Sequence, residues 1–210
     1  MVKGYRVQGS GFRVNSGFRV QGSGMDEILQ LNELIRNECR GKRIRLVDAY
    51  PQFADDQDHL RSEFSAGDGG HLNAKGYKHL GQFIATSLAD ILKPGAKVAC
   101  LGDSITEGYP GHFNGQEETK QWDPYTHYLK RPGVKVMNFG LSGDTTEGMT
   151  KRFYRDVLRA EPTICIIMGG VNDLFGGIPS RDVMEALSAL YADSERHQMA
   201  PVAVTVLPID

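Results

Sequence analysis

Lys97-Val-Ala-Cys-Leu101-Gly-Asp-Ser104-Ile-Thr-Glu-Gly108 is the stretch that decides the fold. It opens as an apolar run of strand length, stops at Gly102, and passes into residues that favour the start of a helix. A strand without a polar face must be covered on both sides, which is the property of a parallel sheet between two layers of helices. The segments around it repeat the pattern. Upstream, residues 74–92 carry Leu80, Phe83, Ile84, Leu88 and Ile91 at helical spacing, until Pro94-Gly95 stops the helix. Further back, Ile28, Leu31, Leu34 and Ile35 form a helical stripe with Asp26 as its expected cap, followed by the strand Ile44-Arg-Leu-Val-Asp48.

Downstream, Val134-Lys-Val-Met-Asn138 reads as a strand, and Met149, Phe153 and Val157 mark a helix ending before Pro162. Thr163-Ile-Cys-Ile-Ile-Met168 is a strand apolar on both faces. Ser180 is the expected cap of a helix carrying Val183, Leu187, Leu190 and Tyr191, and Val202-Ala-Val-Thr-Val-Leu207 is the last strand. Strands and amphipathic helices in alternation predict an α/β protein: a three-layer α/β/α sandwich on a flavodoxin-like, five-stranded parallel sheet of order 2-1-3-4-5.

The chain of 210 residues suits one buried core. Residues 25–210 read as a single domain. Residues 1–24 stand apart, with Gly4-Tyr-Arg-Val-Gln-Gly-Ser10, Gly11-Phe-Arg-Val-Asn-Ser16 and Gly17-Phe-Arg-Val-Gln-Gly-Ser23 repeating one short unit. Three copies so short and so often interrupted by glycine cannot build a solenoid core, so this is a low-complexity arm or a tag-like segment. A net charge of -2, with no more than two basic residues in a row, gives nucleic acid no electrostatic footprint. No apolar run approaches a membrane span, and the N-terminus has no apolar signal region. The three cysteines are an odd number, and Cys100 and Cys165 sit within strands, so no disulfide framework is expected. A cytoplasmic setting is the expectation.

Reactive residues in such a sheet lie beyond the carboxyl ends of the strands. Three of these ends are glycine-rich and polar: Gly102-Asp-Ser-Ile-Thr-Glu-Gly108, Phe139-Gly-Leu-Ser-Gly-Asp-Thr-Thr146 and Gly169-Gly-Val-Asn-Asp173. A fourth polar segment, Asp68-Gly-Gly-His71, precedes a helix. A serine at a strand end needs a base to become a nucleophile, and a histidine titrating near neutrality is suited to that. An aspartate three residues earlier can hold the imidazole in one tautomer. Asp103, Asp144 and Asp173 have no histidine nearby in sequence and read as ligands of loop backbone, with no metal site. Residues 109–131, with Trp122, Tyr125 and Tyr128, either shape a substrate pocket or form a helix packed on the sheet. His59, His112, His127 and His197 read as surface residues.

Together the four segments resemble the signature blocks of the SGNH hydrolases, the GDSL esterase/lipase family. The resemblance implies Ser104 as nucleophile, His71 as base and Asp68 as its acid partner. It implies an oxyanion hole made by the Ser104 and Gly143 backbone N–H groups and the Asn172 side chain. The implied activity is hydrolysis of a small carboxylic ester through an acyl-enzyme, without cofactor. The family's range of lipids, thioesters, aryl esters and acetylated sugars stays open. Two departures stand out. Asp68 and His71 precede Ser104, whereas the family places them last, so the order is that of a circular permutation. The family's His-Pro-Asn is His71-Leu72-Asn73 here.

The strands at 44–48 and 202–207 should then be neighbours, with Asp26 and Leu207 at the catalytic face. A homodimer exchanging the 68–71 segment is the alternative to a contact within one chain. Ser142 is a rival nucleophile, although the elbow Gly-x-Ser-x-Gly is absent. The alternatives for function are an inactive relative and a phosphate-binding flavodoxin-like module. The latter lacks both a P-loop lysine and a Gly-x-Gly-x-x-Gly turn.

Overall fold

The computed structural model describes residues 24–111 and 121–209. The repeat arm therefore lies outside the described residues except for Gly24, which is the first residue of helix α1 (Gly24–Cys39). Asp26 is not the cap expected of it. It lies inside the first turn of α1 with Glu27, where a carboxylate faces the positive end of the helix dipole.

Five parallel strands form the sheet: β1 (Arg45–Val47), β2 (Lys97–Gly102), β3 (Lys135–Gly140), β4 (Ile164–Met168) and β5 (Ala200–Val204). In space they run β1-β5-β4-β2-β3. Counted from β2, with β1 taken last, that order is 2-1-3-4-5. The strands at the two ends of the chain are neighbours, Arg45 opposite Val202 and Val47 opposite Val204.

Alternation along each strand divides the core in two. Val98 and Cys100 of β2, Ile164 and Ile166 of β4, and Val202 and Val204 of β5 face one layer. There they meet α3 (Ala74–Ser87) through Tyr77, Leu80 and Ile84, and the 3-10 turn Tyr125–Leu129. Ala99 and Leu101, Cys165 and Ile167, and Ala203 face the other layer. That layer is built by α1, α5 (Thr146–Asp156) and α7 (Ser180–Arg196) through Ile28, Leu31, Met149, Phe153, Leu187 and Leu190. Full burial of one such side chain stabilises by roughly 1.5–3 kcal/mol. Cys100 and Cys165 are buried free thiols, one on each face.

Three of the differences from the sequence expectation have a visible physical cause. The helix expected over 74–92 ends at Ser87, because Leu88 leaves helical geometry (φ -111°) and the chain turns while still burying Leu88 and Leu92. Ser180 does not cap α7: Pro179 holds the cap position, and the Ser180 hydroxyl donates to Gln30 Oε1 of α1 at 2.9 Å. The last strand spans Ala200–Val204 and stops short of Leu207. Beyond it, Thr205 N–H still donates to the Val47 carbonyl (3.2 Å). The buried Asn32 then clasps Val206 at both ends, Nδ2 to its carbonyl and Oδ1 from its N–H, each at 2.8 Å. A side-chain amide in α1 thus replaces the ladder partner that the sheet no longer supplies.

Two further short helices rise from strand ends: α4 (Ser104–Glu107) after β2 and α6 (Val171–Phe175) after β4. A third, α2 (Tyr50–Phe53), follows β1. Among the described residues, no helix is long and apolar enough to cross a membrane.

Candidate active site

Ser104 is the first residue of α4, immediately beyond β2. The Asp103 side chain caps the turn by accepting from Ile105 N–H at 3.0 Å, and Gly108 closes it in the left-handed region. The first N–H groups of a helix have no acceptor within it, and among the described residues the Ser104 amide has no partner.

The 68–71 turn comes from a different part of the chain. Asp68 Oδ1 accepts from the N–H of Gly70 (3.2 Å) and of His71 (3.0 Å), folding the turn back on itself. That leaves Asp68 Oδ2 facing His71 Nδ1 at 2.9 Å, while His71 Nε2 lies 2.9 Å from Ser104 Oγ. The structure thus brings Asp68, His71 and Ser104 into one hydrogen-bonded line within a single chain. Leu72, in the place of the family's proline, is buried and anchors the turn in the core. Asn73 caps α3 through its bond from Gly76 N–H (3.0 Å). Its amide donates to the carbonyls of Glu63 and Ser65, so the turn is tied on both sides. The Tyr109 ring meets the His71 ring edge-on, with centroids 4.6 Å apart.

The other candidate donors come from the β3 and β4 ends. Gly140 passes so close to α4 that a Cβ there would lie 2.0 Å from the Glu107 nitrogen, so only glycine lets the two segments approach. Gly143 then adopts φ +78°, the left-handed region open to glycine, with nothing within reach of a Cβ. Among the described residues its N–H has no partner. Asn172 Nδ2 donates to the Asp144 carbonyl at 2.9 Å, which fixes the amide plane and leaves its second hydrogen for a ligand. The rival Ser142 is held elsewhere: its N–H (2.9 Å) and its hydroxyl both donate to the buried Glu107 carboxylate.

The three aspartates are engaged with their surroundings. Asp173 accepts from Thr146 N–H (3.0 Å) and Thr146 Oγ1 (2.7 Å), and Asp144 accepts from Thr145 N–H (3.0 Å) and Arg152 Nε (2.7 Å). Burial pushes the Asp103 carboxyl up to about 7, partly offset by the bond from Ile105 and reinforced by Asp144 and Asp173. Asp68 moves the other way. Burial works against its charge, but the bonds from Gly70 and His71 and the His71 charge prevail, leaving the carboxyl below its ordinary value.

Tyr125 lies in the core between α3 and the sheet and, like Trp122, packs with the cluster on that face. Among the described residues of the 109–131 segment, Tyr109 reaches the Asp68–His71–Ser104 line. His59 and His197 are exposed, His127 pairs with Asp123 (3.3 Å), and His112 lies outside the described residues. The sequence reading missed Arg152, Glu107 and Asn32, three polar side chains whose burial no local pattern announces. A charged residue on the inward stripe of α5, between Met149 and Phe153, was the available signal for Arg152.

The family model of the GDSL-like lipase/acylhydrolases matches residues 100–210, which contain Ser104, Gly143 and Asn172 and leave Asp68 and His71 upstream. The "uncharacterized lipoprotein YqeF" of Bacillus subtilis (strain 168) is 31% identical over 118 residues. That match covers 53% of this chain and 49% of the relative, so the chain spans about half the length of the curated protein it matches. The relative's name gives the expected cytoplasmic setting no support. Among solved structures, a G-D-S-L family protein from Desulfitobacterium hafniense DCB-2 is similar at 27% identity (TM-score 0.41). It covers 51% of this chain and 58% of its own. The psychrotrophic esterase EstA from Pseudoalteromonas sp. is similar at 23% identity (TM-score 0.40; 52% and 58% covered). With its match running over more than half of the sequence and through the Gly102–Gly108 turn, the chain belongs to the GDSL-like lipase/acylhydrolase family.

Proposed function

We propose that this chain hydrolyses carboxylic esters through a serine acyl-enzyme, with Ser104 as nucleophile, His71 as general base and Asp68 as the group that orients His71. The observation that carries this reading is the line of two 2.9 Å contacts from Asp68 through His71 to Ser104 Oγ. Asp68 accepts the Nδ1 proton, so Nε2 is left as the acceptor facing the serine. As Oγ attacks the ester carbonyl, its proton passes to Nε2 and the carbonyl oxygen becomes an oxyanion. The Ser104 and Gly143 N–H groups and the Asn172 amide are the donors available to it, each typically worth ~10²–10³ in rate. His71 returns the proton to the departing alkoxide, and water then repeats the sequence on the acyl-enzyme. No step calls for a metal or cofactor.

The chain also reads as a circular permutation: the 25–92 half, bearing Asp68 and His71, precedes the half bearing Ser104. Two observations support this. β1 pairs with β5, and the start of α1 lies against Ile209, the δ-carbon of which is 3.9 Å from where a Gly24 Cβ would sit. A rearranged gene placing residues 25–92 after residue 209 should give a protein with the same ester specificity. Loss of soluble, active protein in that order would count against the permutation.

A p-nitrophenyl ester series of increasing acyl length, with a fluorophosphonate probe, tests the activity. Turnover should vanish on probe labelling, and the adduct should map to Ser104 by mass spectrometry. In Ser104→Ala, labelling should be absent and the residual rate about six orders of magnitude lower. An adduct on Ser142 would overturn the assignment.

A further inference from the structure

Arg152 is the buried charged side chain of α5, and the proposed chemistry leaves it unused. Each of its three nitrogens has a different partner. Nη2 donates to the Gly102 carbonyl at 3.0 Å, Nε to Asp144 Oδ2 at 2.7 Å, and Nη1 to Asp156 Oδ2 at 3.2 Å. Gly102 ends the strand that delivers Ser104 two residues later. Asp144 directly follows Gly143, and its own carbonyl holds the Asn172 amide. One planar cation therefore bridges the strand leading to Ser104 to the loop that carries one proposed oxyanion donor, Gly143, and holds a second, Asn172, through the Asp144 carbonyl.

We propose that Arg152 is a positioning residue, setting the distance and angle between Ser104 and the Gly143–Asn172 donors. The inference rests on the serine-esterase reading of this site. The guanidinium presents its donors in a fixed fork, so holding a carbonyl on one arm and a carboxylate on another fixes the spacing of their backbones. Lysine offers a single rotatable point of charge and cannot do the same. The rest of the loop shows why such a bridge matters. One backbone bond, Leu141 N–H to the same Gly102 carbonyl (3.1 Å), joins the two segments at the root of the loop. Glu107 grips Ser142, but beyond Ser142 the glycine at 143 has no side chain to pack. Arg152 takes hold on the far side of that glycine. Donors aimed at a developing charge contribute through prearranged geometry, and a misplacement of about 1 Å can cost ~10²-fold.

The test is steady-state kinetics on a p-nitrophenyl ester for the intact chain and for Arg152→Lys, Asp144→Asn, the double variant and Asp156→Asn. Arg152→Lys and Asp144→Asn should each lower kcat by ~10²-fold while KM moves less than about threefold, because the oxyanion charge belongs to the transition state. The double variant should be no worse than the poorer single one, since both break the same bridge. Asp156→Asn weakens the arm facing away from the site, and the Arg155 pair with it, so it should lower the melting midpoint yet leave kcat nearly unchanged. Unchanged kcat in both Arg152→Lys and Asp144→Asn would overturn the proposal. So would an equal kcat loss in Asp156→Asn, which would make Arg152 a stabilising residue only. Should Arg152→Lys fail to fold, Asp144→Asn, which keeps its size and its bond from Thr145 N–H, decides alone. The serine reading is judged separately, by whether the intact chain turns over the ester and Ser104→Ala does not.

Discussion

The two halves of the candidate site are built by opposite means. Ser104, Gly143 and Asn172 stand at the ends of adjacent parallel strands, and buried side chains (Glu107, Arg152, Asp173) tie their turns together. Asp68 and His71 sit on a surface turn whose order comes from its own hydrogen bonds and from Leu72 and Asn73 at its root. The Asp68 side chain keeps 37% of its surface in solvent and that of Asp144 only 8%. The proposed nucleophile and its proposed donors are thus positioned by the sheet, and the proposed proton-handling pair by a local turn. A change in the sheet half should spread through a buried network, whereas a change in the turn half should stay local.

Asp68→Ala gives the largest effect by which this contrast can be broken. It removes the acceptor that fixes the His71 tautomer, and with it the two bonds that fold the turn. The expected loss in kcat is about 10⁴-fold, by analogy with the acid of other triads. Because the turn is exposed, the melting midpoint should fall by only a few degrees. Kinetics with parallel thermal unfolding decides the matter. A collapse of the fold would show that the turn is as deeply integrated as the strand ends.

Asn172→Ala probes the other half and should cost less, about 10²–10³ in kcat with little change in KM. It also removes the bond to the Asp144 carbonyl, so some stability should be lost as well. An effect on KM alone would make Asn172 a substrate contact and separate it from the oxyanion donors.

The same contrast explains what could be read in the sequence. Strand type and the positions of Ser104, Gly143 and Asn172 are set by apolar runs and glycine-rich turns, both local features. The Asp68–His71 pairing is legible for the same reason, since its spacing of three residues is the geometry of one turn. The site-facing partners of Arg152, Asp144 and Gly102, lie 8 and 50 residues away, and those of Glu107 and Asn32 lie 35 and 174 away. Their roles follow from sheet order, which no window of sequence contains. Boundary errors have a related cause. Leu207 and Leu92 are as apolar as true strand and helix residues, but Asn32 and the turn after Ser87 end the elements before them. Tyr109 was overshadowed by its more conspicuous neighbours: Trp122 and Tyr125 pack in the core, and Tyr128 lies against Gly81 of α3.

Asp68, at one end of the hydrogen-bonded line, and Asp103, beside Ser104 at the other, sharpen the comparison, because their environments displace them in opposite directions. Asp68, hydrogen-bonded and partly solvated, is held below its ordinary value, so it favours the folded state once ionised. That contribution is lost as pH falls through its folded pKa. Asp103, adjacent to Ser104 in the chain and buried, is pushed up to about 7. Between about 4, the ordinary value for an aspartate, and 7, the folded chain keeps a proton on Asp103 that the unfolded chain has released. The unfolded state binds fewer protons there, so this group's contribution to stability is full below about 4 and declines as pH rises to 7. Asp103→Asn cannot ionise and retains an oxygen able to accept from Ile105 N–H, so its stability should not decline in that window. Melting midpoints at half-unit steps from pH 4 to 8 should show the intact chain losing ground to Asp103→Asn up to about pH 7 and holding a constant offset above it. Parallel curves throughout would mean that Asp103 is charged in the folded protein, its burial offset by the Ile105 bond. The buried half of the site would then be no less hospitable to a carboxylate than the exposed turn that holds Asp68.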